Sequence, residues 1–501
     1  HCISSAASDV YKRQGMTMIT FIAGLIILIA GGAVYGKVCE KIFKPDDRTT
    51  PAVMLNDGVD FVPMKKWKNS LIQLLNIAGT GPILGPIQGI LFGPIAFITI
   101  PIGCVIGGAF HDYMSGMISV RNDGKQMPSL IQQFLGKHIY VVYNIFVCLL
   151  MLLVGAVFIY TPGDLFVTEI LKGNSGFSNP VIWIVYGAIF VYYIIATLFP
   201  IDKIIGRVYP IFGAVLILSA LGVFAGLFIK GYPLNEIWST GVVGIHPKGL
   251  HFIPIFFVTV ACGIVSGFHS TQATLISRTI GNEKEGRMTF YNMMIAEGFI
   301  AMTWAAAAMG VMNLGLANAD TPATNVVGIV ANSLLGRIGG MIAIIGVIVL
   351  PITSGDTALR SLRLMVSDAL HIDQSKKRNR LMVSLAIFVL VAALLLFSKL
   401  NADGFNILWR YFAWANQTIA IFAFAMIAIY FIQNKKPYIL AIIPGMFYAF
   451  IITSFILNAQ IGFNLSWTIS YIIAGILTAA YGYFIIHTGK KSLKLQTQIP
   501  N

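Results

Sequence analysis

The sequence predicts an all-α polytopic membrane protein with about thirteen transmembrane helices. Three observations carry that prediction. Hydrophobic residues make up 57% of the chain and charged residues only 11%, less than half the charge of a soluble domain. Apolar runs of bilayer length recur from end to end, separated by short loops. Lys and Arg collect in alternate loops, as in the cytoplasmic segments of multi-pass proteins. This placement explains the net charge of +14 without nucleic acid as a partner; the partner it implies is the lipid bilayer.

Residues 1–15, HCISSAASDVYKRQG, resemble no other part of the chain and lack the apolar core of a signal peptide, so they read as a non-native leader with Met16 as the start. An extra N-terminal helix is expected over 16–38. A basic loop follows at 39–69, with Lys41, Lys44, Arg48, Lys65, Lys66 and Lys68, and is expected to be cytoplasmic. The apolar run 70–92 should cross the membrane, yet Asn76 to Gly89, NIAGTGPILGPIQG, places four glycines and two prolines in it. Gly favours non-helical backbone and Pro removes a donor. Freed backbone groups cannot turn to lipid, so the break must be buried in protein or line a cavity. Broken helices are where many carriers hold solute and ions; the competing reading is helix packing, which also uses Gly.

Gly93-Pro94 turns the chain into a span that ends near Val120. Further spans are expected at 139–160, 181–199, 208–229, 252–277, 288–314, 338–352 with a polar extension to about 370, 381–398, 406–432, 438–457 and 465–487. Basic residues follow spans 1, 3, 5, 7, 9 and 11, as at Lys376, Lys377, Arg378 and Arg380, and Lys490, Lys491 and Lys494 lie in the tail 489–501. This pattern predicts an N-terminus outside and a C-terminus in the cytoplasm.

A second interruption lies at Cys262 to Thr274, CGIVSGFHSTQAT. It divides the chain into five-helix groups, 70–230 and 252–432, each beginning with a discontinuous helix, with two more helices over 437–488. An odd-numbered repeat inverts across the membrane. Interrupted segments at matching positions of two halves mark a transporter site, so the expected architecture is the LeuT-like five-plus-five inverted repeat.

The substrate-binding candidates follow from the breaks: Ala78, Gly79, Thr80, Gly81 and Gly85 in the first, Ser266, Gly267, His269 and Ser270 in the second. Asn416 and Gln417 in WRYFAWANQTIA join them, with interhelical hydrogen bonding as the competing reading. In PITSGDTALRSLR, Thr353, Ser354, Asp356 and Thr357 are candidates for ion coupling, the cation being H+ or Na+, with Thr353 and Ser354 as the candidate Na+ ligands. An Asp356–Arg360 ion pair at i,i+4 is the alternative. His111 and Asp112 form a protonatable pair, read as lying about two turns from the cytoplasmic end, where interfacial contact is also possible. Glu297 lies mid-span with no basic neighbour in sequence, and Arg410 lies near an outer helix end. The cysteines lie far apart; Cys104, Cys148 and Cys262 read as small apolar residues, with no disulfide or metal spacing. The chain has no P-loop, HExxH, paired CxxC or nucleophile elbow. An enzyme and an organic cofactor are therefore not expected, and transport would run on an ion or solute gradient.

NDGVDFVPMKKW with NIAGTGPILGPIQG resembles the opening motif of the carbon starvation protein A family. GGAFHDYMSGMISVRNDG, GIVSGFHSTQATLISR, PITSGDTALRSLR and the NQ of WANQ also match, in order, between about Met16 and His487. His111 departs from the Gln often found in longer members. The resemblance implies a short form of a LeuT-type carrier in the bacterial cytoplasmic membrane, importing peptides or small carboxylates such as pyruvate under carbon starvation. Its site would comprise the GTGP and GPI breaks, Ser266 to Ser270 and Thr353 to Thr357. The alternative is a membrane sensor that binds a nutrient without net transport.

Overall fold

The computed structural model describes residues 18–57, 61–198, 202–241, 246–373 and 376–498; side chains at 197–198, 202–210, 212, 353, 368 and 496–498 lie outside that set. The expected leader, residues 1–15, and the Thr353 side chain therefore fall outside the described residues. The chain is built from helices α1 Ile19–Phe43, α2 Lys66–Ile77, α3 Gly81–Phe92, α4 Ala96–Val120, α5 Lys137–Ile170, α6 Pro180–Leu198, α7 Asp202–Ile229, α8 Gly267–Ile276 and α9 Glu283–Asn313. They are followed by α10 Ala323–Ser367, α11 Lys377–Leu400, α12 Gly404–Gln433, α13 Ile439–Asn458 and α14 Trp467–Leu495. Among the described residues, nine helices are each long and apolar enough to cross a bilayer, and the bent pair α2–α3 makes a tenth. The other three expected spans fall on α6 and α7, whose described side chains include the apolar stretches Pro180–Ala196 and Gly213–Ile229, and on the broken stretch that ends in α8.

The first break bends α2 against α3 by 49°. Helix α2 stops at Ile77, and α3 restarts with Pro82 in its first turn, where the missing N–H removes no helical bond. Gly93, at φ +95, then turns the chain back into α4. In the second break, helix ends at Thr259, Gly263 takes φ +93, and Ser266 is extended before α8 begins. The left-handed backbone at Gly263 is open to Gly at little steric cost.

Two features differ from the expected spans. Helix α10 starts at Ala323, well before 338, and bends at Gly336, where φ is +71 and ψ −176. The Ala/Val/Leu run before Gly336 has helical periodicity but no charge contrast to mark it as a helix. The tail expected over 489–501 is also helical as far as Gln498.

On the face that carries the basic loops, the loop after α1 is tied across the bundle to the segment between α8 and α9. Thr50 Oγ1 donates to Ile280 O at 2.6 Å, Met64 N to Thr279 O at 2.9 Å, and Asn69 Nδ2 to Thr279 O at 2.9 Å. Glu283 is buried and accepts from Arg121 Nε and Nη2, both at 3.0 Å, and from Asp46 N at 3.1 Å. A buried carboxylate is tolerated there because it is fully hydrogen-bonded. Arg121→Ala should therefore lower unfolding stability in detergent by about 3 kcal/mol, since it strands a buried charge. A loss under about 1 kcal/mol in chemical denaturation would mean that Glu283 recovers solvent.

Candidate functional site

The two breaks lie against each other. A Cβ built on Gly81 would sit 2.3 Å from Cys262 Sγ, and one on Gly85 would be 3.0 Å from Thr259 O. Only glycines let these two backbones approach so closely. The carbonyls freed by the second break are capped from one face of α12. Trp409 Nε1 donates to Thr259 O at 2.9 Å, Gln417 Nε2 to Phe257 O at 2.5 Å, and Asn416 Oδ1 accepts from Phe268 N at 2.8 Å. Asn416 Nδ2 also donates to Ser266 Oγ at 2.8 Å. Gly267 makes this contact possible, because a Cβ there would lie 2.3 Å from Asn416 O.

A small cavity of about 40 Å³ opens between the breaks. Gly79, Thr80, Gly81, Ser266, His269, Asn416 and Ser354, all candidates from sequence, line it. Phe158, Phe268 and Phe412 form its apolar walls. At about 10–15 Å³ per ordered water, it holds a few waters rather than a solute, so these walls must part to admit one. Neither α3 nor α8 is capped by the side chain of its own N-cap residue, and of the first-turn N–H groups of α8 Asn416 takes that of Phe268. Both present helix N-termini near the cavity, which favour an anion.

Other candidates fall beside the cavity. Ala78 is buried at the end of α2, Gly85 packs on the second break, and Ser270 Oγ donates to Gly267 O at 2.6 Å. Gln417 serves as a cap to Phe257 O. Asp356 is buried and meets Arg360 Nη2 at 3.3 Å, the i,i+4 pair weighed from sequence, while Thr357 is on the exposed face. Arg410 reaches Asp403 at 3.9 Å and shares a pocket with Gln88 and His246. Burial, with the Arg410 and Lys248 charges adding to it, pushes the His246 pKa down to about 4, so this imidazole is neutral near pH 7.

The placement of His111 and Asp112 corrects the interfacial reading. Both are fully buried, because the far end of α4 is enclosed by α8, α9 and α12. Asp112 Oδ1 meets His111 Nδ1 at 2.8 Å, and Asp112 Oδ2 meets His269 Nδ1 at 3.1 Å. His269 Nε2 in turn lies 3.6 Å from Glu297 Oε1. Three helices thus bring two carboxylates and two imidazoles into one buried chain that leads from the cavity wall. Glu297 gains in His269 the partner that sequence could not supply. Cys262, read from sequence as an apolar filler, is instead a wall of the cavity. Its position is visible only once the turn at Gly263 is known.

The model of the family described as "Carbon starvation protein CstA" matches residues 16–230, 167–335 and 323–455. The chain belongs to the CstA family. A Haemophilus influenzae relative named "Uncharacterized membrane protein" is 41% identical over 335 residues, 58% of this chain and 90% of that protein. "Peptide transporter CstA" of Helicobacter pylori is 26% identical over 360 residues, 60% of this chain and 52% of the relative. "Pyruvate/proton symporter BtsT" of Escherichia coli K12 is 26% identical over 355 residues, 56% and 48% respectively. The chain thus spans about half the length of the named transporters it matches. The crystal structure of an Eremococcus coleocola manganese transporter superposes with a TM-score of 0.56 at 12% identity, covering 88% of this chain and 98% of that one, and so shares the fold. Within the CstA family fold, the cavity lies where both helices are broken.

The glycine contacts separate two substitutions only two residues apart. A Cβ at Gly79 meets nothing within 4 Å, so Gly79→Ala should fold as wild type. Gly81→Ala must push Cys262 away and should cost about 1–3 kcal/mol. Equal melting temperatures for the two variants would contradict the contact between the breaks.

Proposed function

We propose that this CstA-family protein is a proton-coupled secondary transporter of the cytoplasmic membrane that imports small carboxylates such as pyruvate, or peptides. The observation that carries this reading is the buried cavity between two broken helices, mostly apolar but reached by Thr80, Ser266, His269, Ser354 and Asn416. The carboxylate of either solute would lie at the N-terminus of α8, near Ser266 and Gly267, and at that of α3, near Thr80 and Gly81. The named relatives supply the solute classes, peptide and pyruvate. The two five-helix groups, 70–230 and 252–432, would form the LeuT-like inverted repeat, with the N-terminus outside and the C-terminus in the cytoplasm.

Coupling would run through Asp112, His269 and Glu297. An anion entering beside His269 favours a proton on that cluster, and the proton in turn favours the anion. Neither charge is stable alone in so buried a place, so both cross together. Binding of the pair would favour the state that opens to the other side. A second reading places Na+ at Thr353 and Ser354; the observation that favours it is Ser354 at the cavity wall.

In proteoliposomes with an imposed proton gradient, labelled pyruvate or a labelled dipeptide should accumulate saturably. Glu297→Gln should reduce that accumulation at least about tenfold while solute exchange without a gradient persists. Accumulation at wild-type level by Glu297→Gln, with loss in Ser354→Ala under a sodium gradient, would move coupling to the sodium reading. Linear, unsaturable flux would exclude a carrier.

A further inference from the structure

We propose that Cys262, His269 and Glu297 form a seat for a divalent transition-metal cation of the zinc class. One donor atom from each, the Cys262 sulfur, a His269 ring nitrogen and a Glu297 carboxylate oxygen, lies within 4.8 Å of the other two, and all three residues are buried. Tetrahedral zinc with bonds of about 2.0–2.3 Å holds its ligand atoms roughly 3.3–3.8 Å apart. His269 Nε2 and Glu297 Oε1 already stand 3.6 Å apart, so small rotations of the Cys262 and Glu297 side chains close the set. Thiolate, imidazole and carboxylate are zinc donors, whereas Mg2+ and Ca2+ select oxygen alone.

A second observation points to the same place. His269 Nε2 and both Glu297 oxygens are buried and make no hydrogen bond within 3.5 Å, their mutual contact at 3.6 Å being longer than one, whereas the buried Asp164 and Glu283 are hydrogen-bonded. Unpaired buried polar atoms are costly and call for a ligand. The opposite ring nitrogen, His269 Nδ1, is held by Asp112 Oδ2 at 3.1 Å, and Asp112 is held in turn by His111. A carboxylate behind a histidine is the arrangement that fixes ring orientation at metal sites. The charges also balance, because one thiolate and one carboxylate neutralise one divalent cation. Cys262 and His269 both wall the cavity, which supplies a route of entry.

The cation would join three parts in one centre: the unwound segment at Cys262, the first turn of α8 at His269, and α9 at Glu297, of which the last two already meet at 3.6 Å. Its binding is an equilibrium property of the solubilised protein and needs no transport, so failure of the carrier reading leaves it standing.

The test uses the untagged full-length protein in detergent, freed of metal and titrated with zinc chloride by equilibrium dialysis with elemental analysis. One zinc per chain is expected. Affinity should fall about 10- to 100-fold in Cys262→Ser and in Glu297→Gln and remain unchanged in the control Cys148→Ser. X-ray absorption of the zinc-loaded wild type should show one sulfur in the first shell, a readout that needs no variant to fold. Absence of saturable zinc binding by natively eluting wild-type protein would overturn the proposal. So would a first shell without sulfur, or binding that survives both substitutions.

Discussion

In hydrocarbon a backbone amide or carbonyl finds no water, and every break in a spanning helix must be answered from within the protein. This chain breaks two helices and answers both at one place. Glycines at 81, 85 and 267 bring backbones into contact, and one face of α12 returns hydrogen bonds to what the second break frees. Trp409, Asn416 and Gln417 are spaced so that they share that face, and each bonds to the chain between Phe257 and Phe268. The position of the cavity follows from this exchange. Moving α12 would unsatisfy the break, so the cavity and α12 must shift together or not at all.

The buried charges fall into two kinds. Asp164 is fully matched: Lys399 Nζ lies at 2.9 and 2.8 Å from its oxygens and Tyr186 donates at 2.5 Å. Glu283 is likewise matched by Arg121. These pairs hold helices and loops in register. Glu297 and the far side of His269 are left open by contrast, beside a cavity rather than within a packed seam. One kind of buried carboxylate holds the fold together, and the other stands behind the cavity wall that His269 and Cys262 form.

Much of the architecture was legible because Gly and Pro runs inside apolar segments have few explanations in a bilayer. Both breaks, and seven of the residues that line the cavity, can be read from such runs and from the polar residues near them. The buried relay was less legible. Asp112, His269 and Glu297 come from three helices far apart in sequence, and no periodicity reports that helices cross. In sequence His111 and Asp112 lie about two turns from the end of their span, which suggests an interface, although the segment there is enclosed by α1, α8, α9 and α12. Cys262 was invisible for a related reason: an apolar thiol looks the same in a packed helix and at a cavity wall until the turn at Gly263 is seen. The early start of α10 escaped because only one glycine, at 336, separates its two parts.

Helix α1 precedes the first broken helix and is fastened at both ends. Glu236 accepts Ile19 N and Thr20 N at 2.8 Å each, and at the other end Glu40 meets Arg287 Nη1 at 2.8 Å. Between these anchors Gly24 lies on the Phe97 carbonyl and Gly36 on the Tyr291 ring. At 25 residues it spans about 37 Å, and its carboxylate-held start also complements the helix dipole. A rod pinned at both membrane faces to α4, α9 and the loop after α7 resists relative tilt among them. It therefore acts as an external brace that holds these three elements as one unit.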